Sequence, residues 1–262
     1  MARDFTEVAV TLLATLTVLV SGHRLMSTGT ATGVTDAWDN ARATFYGDIE
    51  GGGTMKGDCG YGNLFEQGYG LETTALSAAL FNNGATCGAC FEIKCVDNPQ
   101  ACIEGAKPIR VTATNFCPAN YTKTVGVWCN PPQKHFDLSL QMFLKIAKYK
   151  AGVVPVKYRR VLCPHKQGGV KFQLSGNPYF LMVLVYNVGH VGDVSEVRVK
   201  GSKSGWFQMH RNWGQVWDTG LKLTGESLSF KVTTSDGKFL NFENVAPPNW
   251  QFSQTYDGKL NF

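Results

Sequence analysis

Nothing in the 262 residues is long and apolar enough to cross a bilayer as a helix. The one sustained apolar run, Val8–Val20, has 13 residues, where a span needs about 20. With the small residues Ser21-Gly22 behind it, that run fits the core of a secretory signal peptide over residues 1–22, although Asp4 and Glu7 offset Arg3 in the segment ahead of it. No Gly-Lys-Ser/Thr triplet follows the glycine-rich stretch "GDIEGGGTMKGDCGYG", so that stretch is not a phosphate cradle. Charge is scarce at 17%, and the net +5 is spread evenly: 14 basic against 11 acidic residues in 23–163, and 10 against 7 in 164–262. No basic stripe results, which argues against a nucleic-acid partner. Only one Cys-x-x-Cys, Cys87 with Cys90, occurs, so a zinc ribbon lacks its second half and no metal or cofactor is expected.

What the chain does have is cysteine, glycine and aromatic rings. Eight cysteines lie at 59, 87, 90, 95, 102, 117, 129 and 163, none beyond. An even number clustered in one secreted region reads as disulfides, and the spacing leaves all 105 pairings open. Asn120-Tyr121-Thr122 is an N-glycosylation sequon, as a secreted surface loop would carry. "PHKQGG", residues 164–169, is a breaker-rich linker that divides the chain into domains 43–163 and 170–262. In the first, "RATFYG", "CFEIKC", "IRVTATNF" and "VPVKYRRVLC" read as strands. Two stretches read as helices: Leu71–Asn83, starting at Thr73 or Thr74 and stopped by Gly84, and Leu138–Ala151, stopped by Gly152. The second reads as strands throughout, "SDG" being a hairpin turn, and suggests a β-sandwich.

Two places could carry chemistry. "KHFDLS" puts Asp137 beside His135 and directly before an apolar periodic run. As a helix N-cap, Asp137 would accept backbone N–H bonds and stay ionised. As a proton donor it would need an apolar groove wall that raises its pKa. In "TFYGD", strand alternation points Thr44, Tyr46 and Asp48 to one face. The commoner role of an Asp beside glycine is to serve the turn. The rings of Trp206, Trp213, Trp217, Trp250, Tyr179 and Phe180 divide between core and surface. An exposed row of them would offer flat apolar faces to sugars.

"ATFYG", "CGYGNL", "LSAALFNNGATCGACFEIKC", "VTATNFCP", "WCNPP", "HFDL", "YRRV", "NWGQ" and "APPNWQF", in series from Ala43 to the C-terminus, resemble the α-expansins of the plant cell wall. The resemblance implies a six-stranded double-psi β-barrel, similar to family-45 glycoside hydrolases, followed by an immunoglobulin-like sandwich that binds cellulose. It implies a secreted wall protein, expected as a monomer with peripheral wall or membrane-surface association. Its partners would be cellulose and matrix glucans such as xyloglucan, and it would loosen walls at acid pH without hydrolysis. It places Asp137 at the hydrolases' general-acid position and matches Thr44 and Tyr46 to the groove residues of the first strand; His135 and Asp48 are further groove candidates. Trp213, the pair Tyr179-Phe180 and Trp206 fall on the cellulose platform; Trp217 and Trp250 remain core. The implied disulfides are Cys59–Cys87, Cys90–Cys163, Cys95–Cys102 and Cys117–Cys129. Related hydrolases carry their base where Asp48 stands, whereas many α-expansins have Gly there. Another groove carboxylate of related branches is here Asn115, which has no basic function. The rival readings are an endo-β-1,4-glucanase with Asp137 as acid and Asp48 as base, and a purely structural polysaccharide-binding protein.

Overall fold

The computed structural model describes residues 33–262; the expected signal segment lies outside them. Six strands, β1 (Asp39–Tyr46), β2 (Thr73–Ser77), β3 (Cys90–Cys95), β4 (Ile109–Cys117), β5 (His135–Ser139) and β6 (Val154–Val161), close into a barrel in the order β1-β5-β2-β4-β3-β6. The β1–β5 and β2–β4 pairs are parallel and the other four antiparallel. This is the double-psi barrel expected from the resemblance. Closure leaves no strand edge unpaired. Leu76, Ile93, Phe136, Leu138 and Val154 fill its interior. Disulfides join Cys59 to Cys87, Cys90 to Cys163, Cys95 to Cys102 and Cys117 to Cys129.

Two local expectations fail. Thr73–Ser77 is a strand rather than the first turns of a helix, and only α1 (Ala78–Phe81) is helical, ended by Asn82 and Asn83 in the left-handed region before Gly84 is reached. The second expected helix contracts to α2 (Leu140–Leu144) and a 3₁₀ turn at Tyr149–Ala151. All five β2 residues are buried. A strand buried on both faces shows no period-2 pattern, so its leucine falls into helical register with the residues beyond it.

The second domain is a sandwich. One sheet holds β9 (Val194–Gly201), β10 (Phe207–Gln208), β13 (Leu228–Thr234) and β14 (Phe239–Ala246), in the order β10-β9-β13-β14. The other holds β7 (Lys171–Asn177), β8 (Phe180–Tyr186), β11 (His210–Trp213), β12 (Val216–Thr219) and β15 (Thr255–Asp257), in the order β11-β12-β8-β7-β15. Strand β8 shows the alternation that builds it. Leu181, Val183 and Val185 point into the sandwich, which also buries Trp217 and Trp250, while Leu184 and Tyr186, with Val216 of β12, join the apolar core of the barrel domain.

The domains therefore meet over a packed seam, although a linker joins them. Gln215 donates its side-chain amide to the Cys87 carbonyl at 2.8 Å, and the Cys163 N–H donates to the His190 carbonyl at 2.7 Å. The Arg160 guanidinium pairs with the buried carboxylate of Asp193. At Gly88 and Gly192, both at positive φ, a Cβ on either would come within 2.4 Å or less of the other's carbonyl oxygen. Only glycine fits such an approach.

Candidate functional site

The first barrel strand and the "HFD" strand lie side by side in parallel, pairing Arg42 with His135, Thr44 with Asp137 and Tyr46 with Ser139. Asp137 sits in the middle of β5, so it is not a helix cap. Ser139 is the N-cap of α2, and its side chain makes no capping bond. The Thr44 hydroxyl donates to Asp137 Oδ1 at 2.5 Å and lies 2.8 Å from His135 Nε2. A hydroxyl has one proton to give. With that proton directed at ionised Asp137, the imidazole must hold its own on Nε2, and the buried Nδ1 is left as a lone pair without a donor among the described residues.

Burial dominates the electrostatics. It raises the Asp137 pKa above the ordinary carboxylate value, and the Thr44 hydrogen bond works against it. It lowers His135 from 6.5 to about 4, with the positive charge of Arg42 adding to the effect. Burial also raises Tyr46; the nearby Asn115 side chain counters this and the Asp137 carboxylate adds to it. The Tyr46 hydroxyl itself is buried without a partner at hydrogen-bond geometry among the described residues. Asp137 thus meets the physical condition for a proton-bearing acid.

His135 is neutral in the folded protein over a range where the unfolded chain protonates it. Its contribution to stability is complete above pH 6.5 and is lost as pH falls towards about 4. The full shift corresponds to about 3 kcal/mol. Asp137, raised rather than lowered, acts oppositely: its protonated form favours the fold, and that advantage fades as pH rises through its folded-state pKa. His135→Gln is expected to lose about 3 kcal/mol less than the parent between about pH 7 and about pH 4, measured by urea unfolding.

Asp48 does not join this group. The strand ends at Tyr46, Gly47 turns the chain at φ 73°, and the alternation is broken before Asp48. Its Oδ1 accepts the N–H groups of Glu50 at 3.0 Å and Gly52 at 2.7 Å. Asp48 is therefore exposed and serves the turn, which corrects its place in the groove. Asn115 occupies the side of the site nearer the second domain. Its Oδ1 accepts the Asp58 N–H at 2.9 Å, and two residues on, a Cβ at Gly60 would lie 3.1 Å from the Trp213 indole nitrogen.

Trp213 then continues the surface. It is 47% exposed, with Phe180 at 36% and Tyr179 at 67%. Trp213 is paired through Val216 to Leu184 on β8, the strand that begins with Phe180. These three rings share the five-stranded sheet that abuts the barrel. Trp206 does not share it: its ring lies against Lys200, at 4.7 Å, on the four-stranded sheet. It therefore does not share the surface of the other three rings. A residue that sequence reasoning passed over is Trp128 of "WCNPP", which lines a cavity of about 220 Å³ together with Thr44 and His135. The sequon residue Asn120 lines the same cavity, and its Oδ1 accepts the Thr122 hydroxyl at 2.7 Å.

Comparison with known proteins gives this architecture relatives. A profile described as Expansin C-terminal domain matches residues 170–247, and one described as lytic transglycolase matches 73–158. Expansin-A23 of Arabidopsis thaliana is 61% identical over 96% of this chain and 94% of its own length. The chain belongs to the α-expansin family. Expansin-A25 of Arabidopsis thaliana is 60% identical, covering 98% of this chain and 97% of its own. Expansin-A32 of Oryza sativa subsp. japonica is 52% identical, covering 86% and 84%. Apo expansin from Clavibacter michiganensis superposes with a TM-score of 0.62 at 19% identity, covering 84% of this chain and 96% of that one. A point mutant of the same bacterial expansin, in complex with cellohexaose, superposes with a TM-score of 0.62 at 18% identity, with the same coverage of 84% and 96%. As an α-expansin, this protein is a cell-wall loosening protein acting outside the cell.

Proposed function

We propose that this expansin loosens walls without cutting glucans and that acid switches it on through Asp137. The carrying observation is the single raised carboxylate. Asp137 accepts the Thr44 hydroxyl, which in turn lies against a neutral His135, while the two positions that could supply a base hold a turn-bound Asp48 and an amide, Asn115. Inverting hydrolysis requires a second carboxylate about 6.5–9.5 Å from the first. Protonated Asp137 needs no such partner to act as a hydrogen-bond donor. Its Oδ1 is engaged by Thr44, and Oδ2 takes no protein partner among the described residues. A glucan hydroxyl presented there is pulled from its neighbouring chain, and release restores the acid unchanged.

Docking is assigned to Tyr179, Phe180 and Trp213, which stack on cellulose through their apolar faces. The cellohexaose complex of a bacterial expansin with this fold supports that reading. Secretion as a monomer, with action on matrix glucans such as xyloglucan beside cellulose, completes the proposal. The test is extension of heat-killed wall strips under load. The expected result is extension at acid pH with no rise in reducing ends; release of sugars in proportion to extension would refute it. Thr44→Val sharpens the test. Without the hydroxyl that stabilises the carboxylate, Asp137 holds its proton to higher pH, and the upper limb of the pH–extension curve moves up by about one unit. A downward move would contradict the assignment.

A further inference from the structure

We infer that Trp128 forms a sugar subsite at the end of the groove opposite the aromatic platform, and that it takes one neutral pyranose ring of the glucan on which Asp137 acts. This deepens the wall-loosening reading and rests on it.

The site is concave and adjoins the proton-bearing cluster directly. Thr44 and His135, which form one end of the hydrogen-bonded chain to Asp137, line the cavity together with Trp128, Asn120, Asn130 and Lys123. Its volume of about 220 Å³ is below the roughly 300–1,000 Å³ of sites that engulf a whole small molecule. It therefore suits one ring of a chain that continues across Thr44 and Tyr46. The two ends of the groove are distinguishable: Trp128 lies on the His135 side of Thr44, whereas Asn115 leads through Asp58 and Gly60 to Trp213.

The chemistry fits a hydroxylated, uncharged ligand. Amides, a hydroxyl and an imidazole offer neutral donors and acceptors, and Lys123 is the one charged side chain in the lining. The Trp128 ring supplies an apolar face for the C–H side of a sugar. The ring is also held in place before any ligand arrives. The Arg42 guanidinium lies over it at 4.5 Å, the next residue is bridged as Cys117–Cys129, and Asn130 braces the loop by donating to the Asn120 carbonyl at 3.0 Å. A preformed aromatic contact costs little ordering on binding.

The experiment measures cellohexaose binding by calorimetry in the full chain carrying Trp213→Ala, so that the barrel's contribution is read with the platform weakened. In that background Trp128→Ala is expected to weaken binding about tenfold, and Trp128→Phe, which keeps a ring, about threefold or less. Unchanged binding in Trp128→Ala, with a thermal transition within a few degrees of the parent, overturns the subsite. If Trp128→Ala fails to fold, the Phe variant and a Trp128→His variant decide in its place: equal affinity in both overturns the proposal, and a graded loss from Phe to His supports it. Tighter binding of a glucuronic-acid-bearing xylan oligomer than of cellohexaose, lost in Lys123→Gln, overturns the assignment to a neutral sugar. These outcomes are independent of the wall-extension assay. Sugar release there would defeat the non-hydrolytic reading while leaving a stacking residue at 128 intact.

Discussion

Asp137→Asn is expected to fold and to bind cellulose like the parent while losing acid-induced extension to near background. The substitution preserves shape, and the amide oxygen still accepts the Thr44 hydroxyl that now lies 2.5 Å from Oδ1. What it removes is a group that gains a proton within the acid range. An amide does not titrate there, and its N–H is a weaker donor than a carboxylic O–H. Any residual extension should therefore be flat with pH. Stability carries a second signature. Because burial raises the Asp137 pKa, the parent is stabilised by the protonated group at low pH and loses that stabilisation as pH rises through the raised value. The Asn variant has no such loss, so its melting temperature relative to the parent should be higher at neutral pH than at acid pH. Parent-like extension by Asp137→Asn would remove Asp137 from the mechanism.

Cys90→Ala/Cys163→Ala is expected to cost about 4 kcal/mol, the chain-entropy value for a bridge of this loop size. The sequence separation is 73 residues, the longest of the four bridges. The bond ties the start of β3 to the point where the chain leaves the barrel. There the Cys163 N–H reaches the His190 carbonyl, and a Cβ at Gly192 would come within 2.5 Å of the Cys163 sulfur. Its loss therefore relaxes the domain seam as well as the barrel. Urea unfolding should show the lowered midpoint, and calorimetry should resolve one transition into two. A change below about 1 kcal/mol with a single transition retained would mean that the seam packing alone holds the domains together.

The sequence was most readable where burial is one-sided. Sandwich strands such as β7 and β9 alternate because one face of each sheet packs inward and the other faces solvent. Strands β3, β4 and β6 were likewise legible at nearly their full length. Reading failed at β2 and for the helix-cap alternative at Asp137, where neighbouring strands flank the segment and the pattern carries no period. The strand alternation that joined Thr44 to Tyr46 was correct as far as it ran, and Gly47 ended it one residue before Asp48. Trp128 was in view within "WCNPP", but its place beside Thr44 depends on a long-range approach of the 117–130 loop to β1, which local sequence does not encode. Trp206 shows the converse. Its residue type suits a platform, and only the sheet on which it sits excludes it.

Under the proposed mechanism, the glycine contact between positions 88 and 192 sets the protein's gait on its substrate. With backbone pressed on backbone there, the three docking rings and the acid keep a constant spacing, like two marks on one ruler. Lengthening the 164–169 connector would not extend the protein's reach, and in that mechanism a grip on one fibre strand would dictate which sugar along the neighbouring strand comes under Asp137.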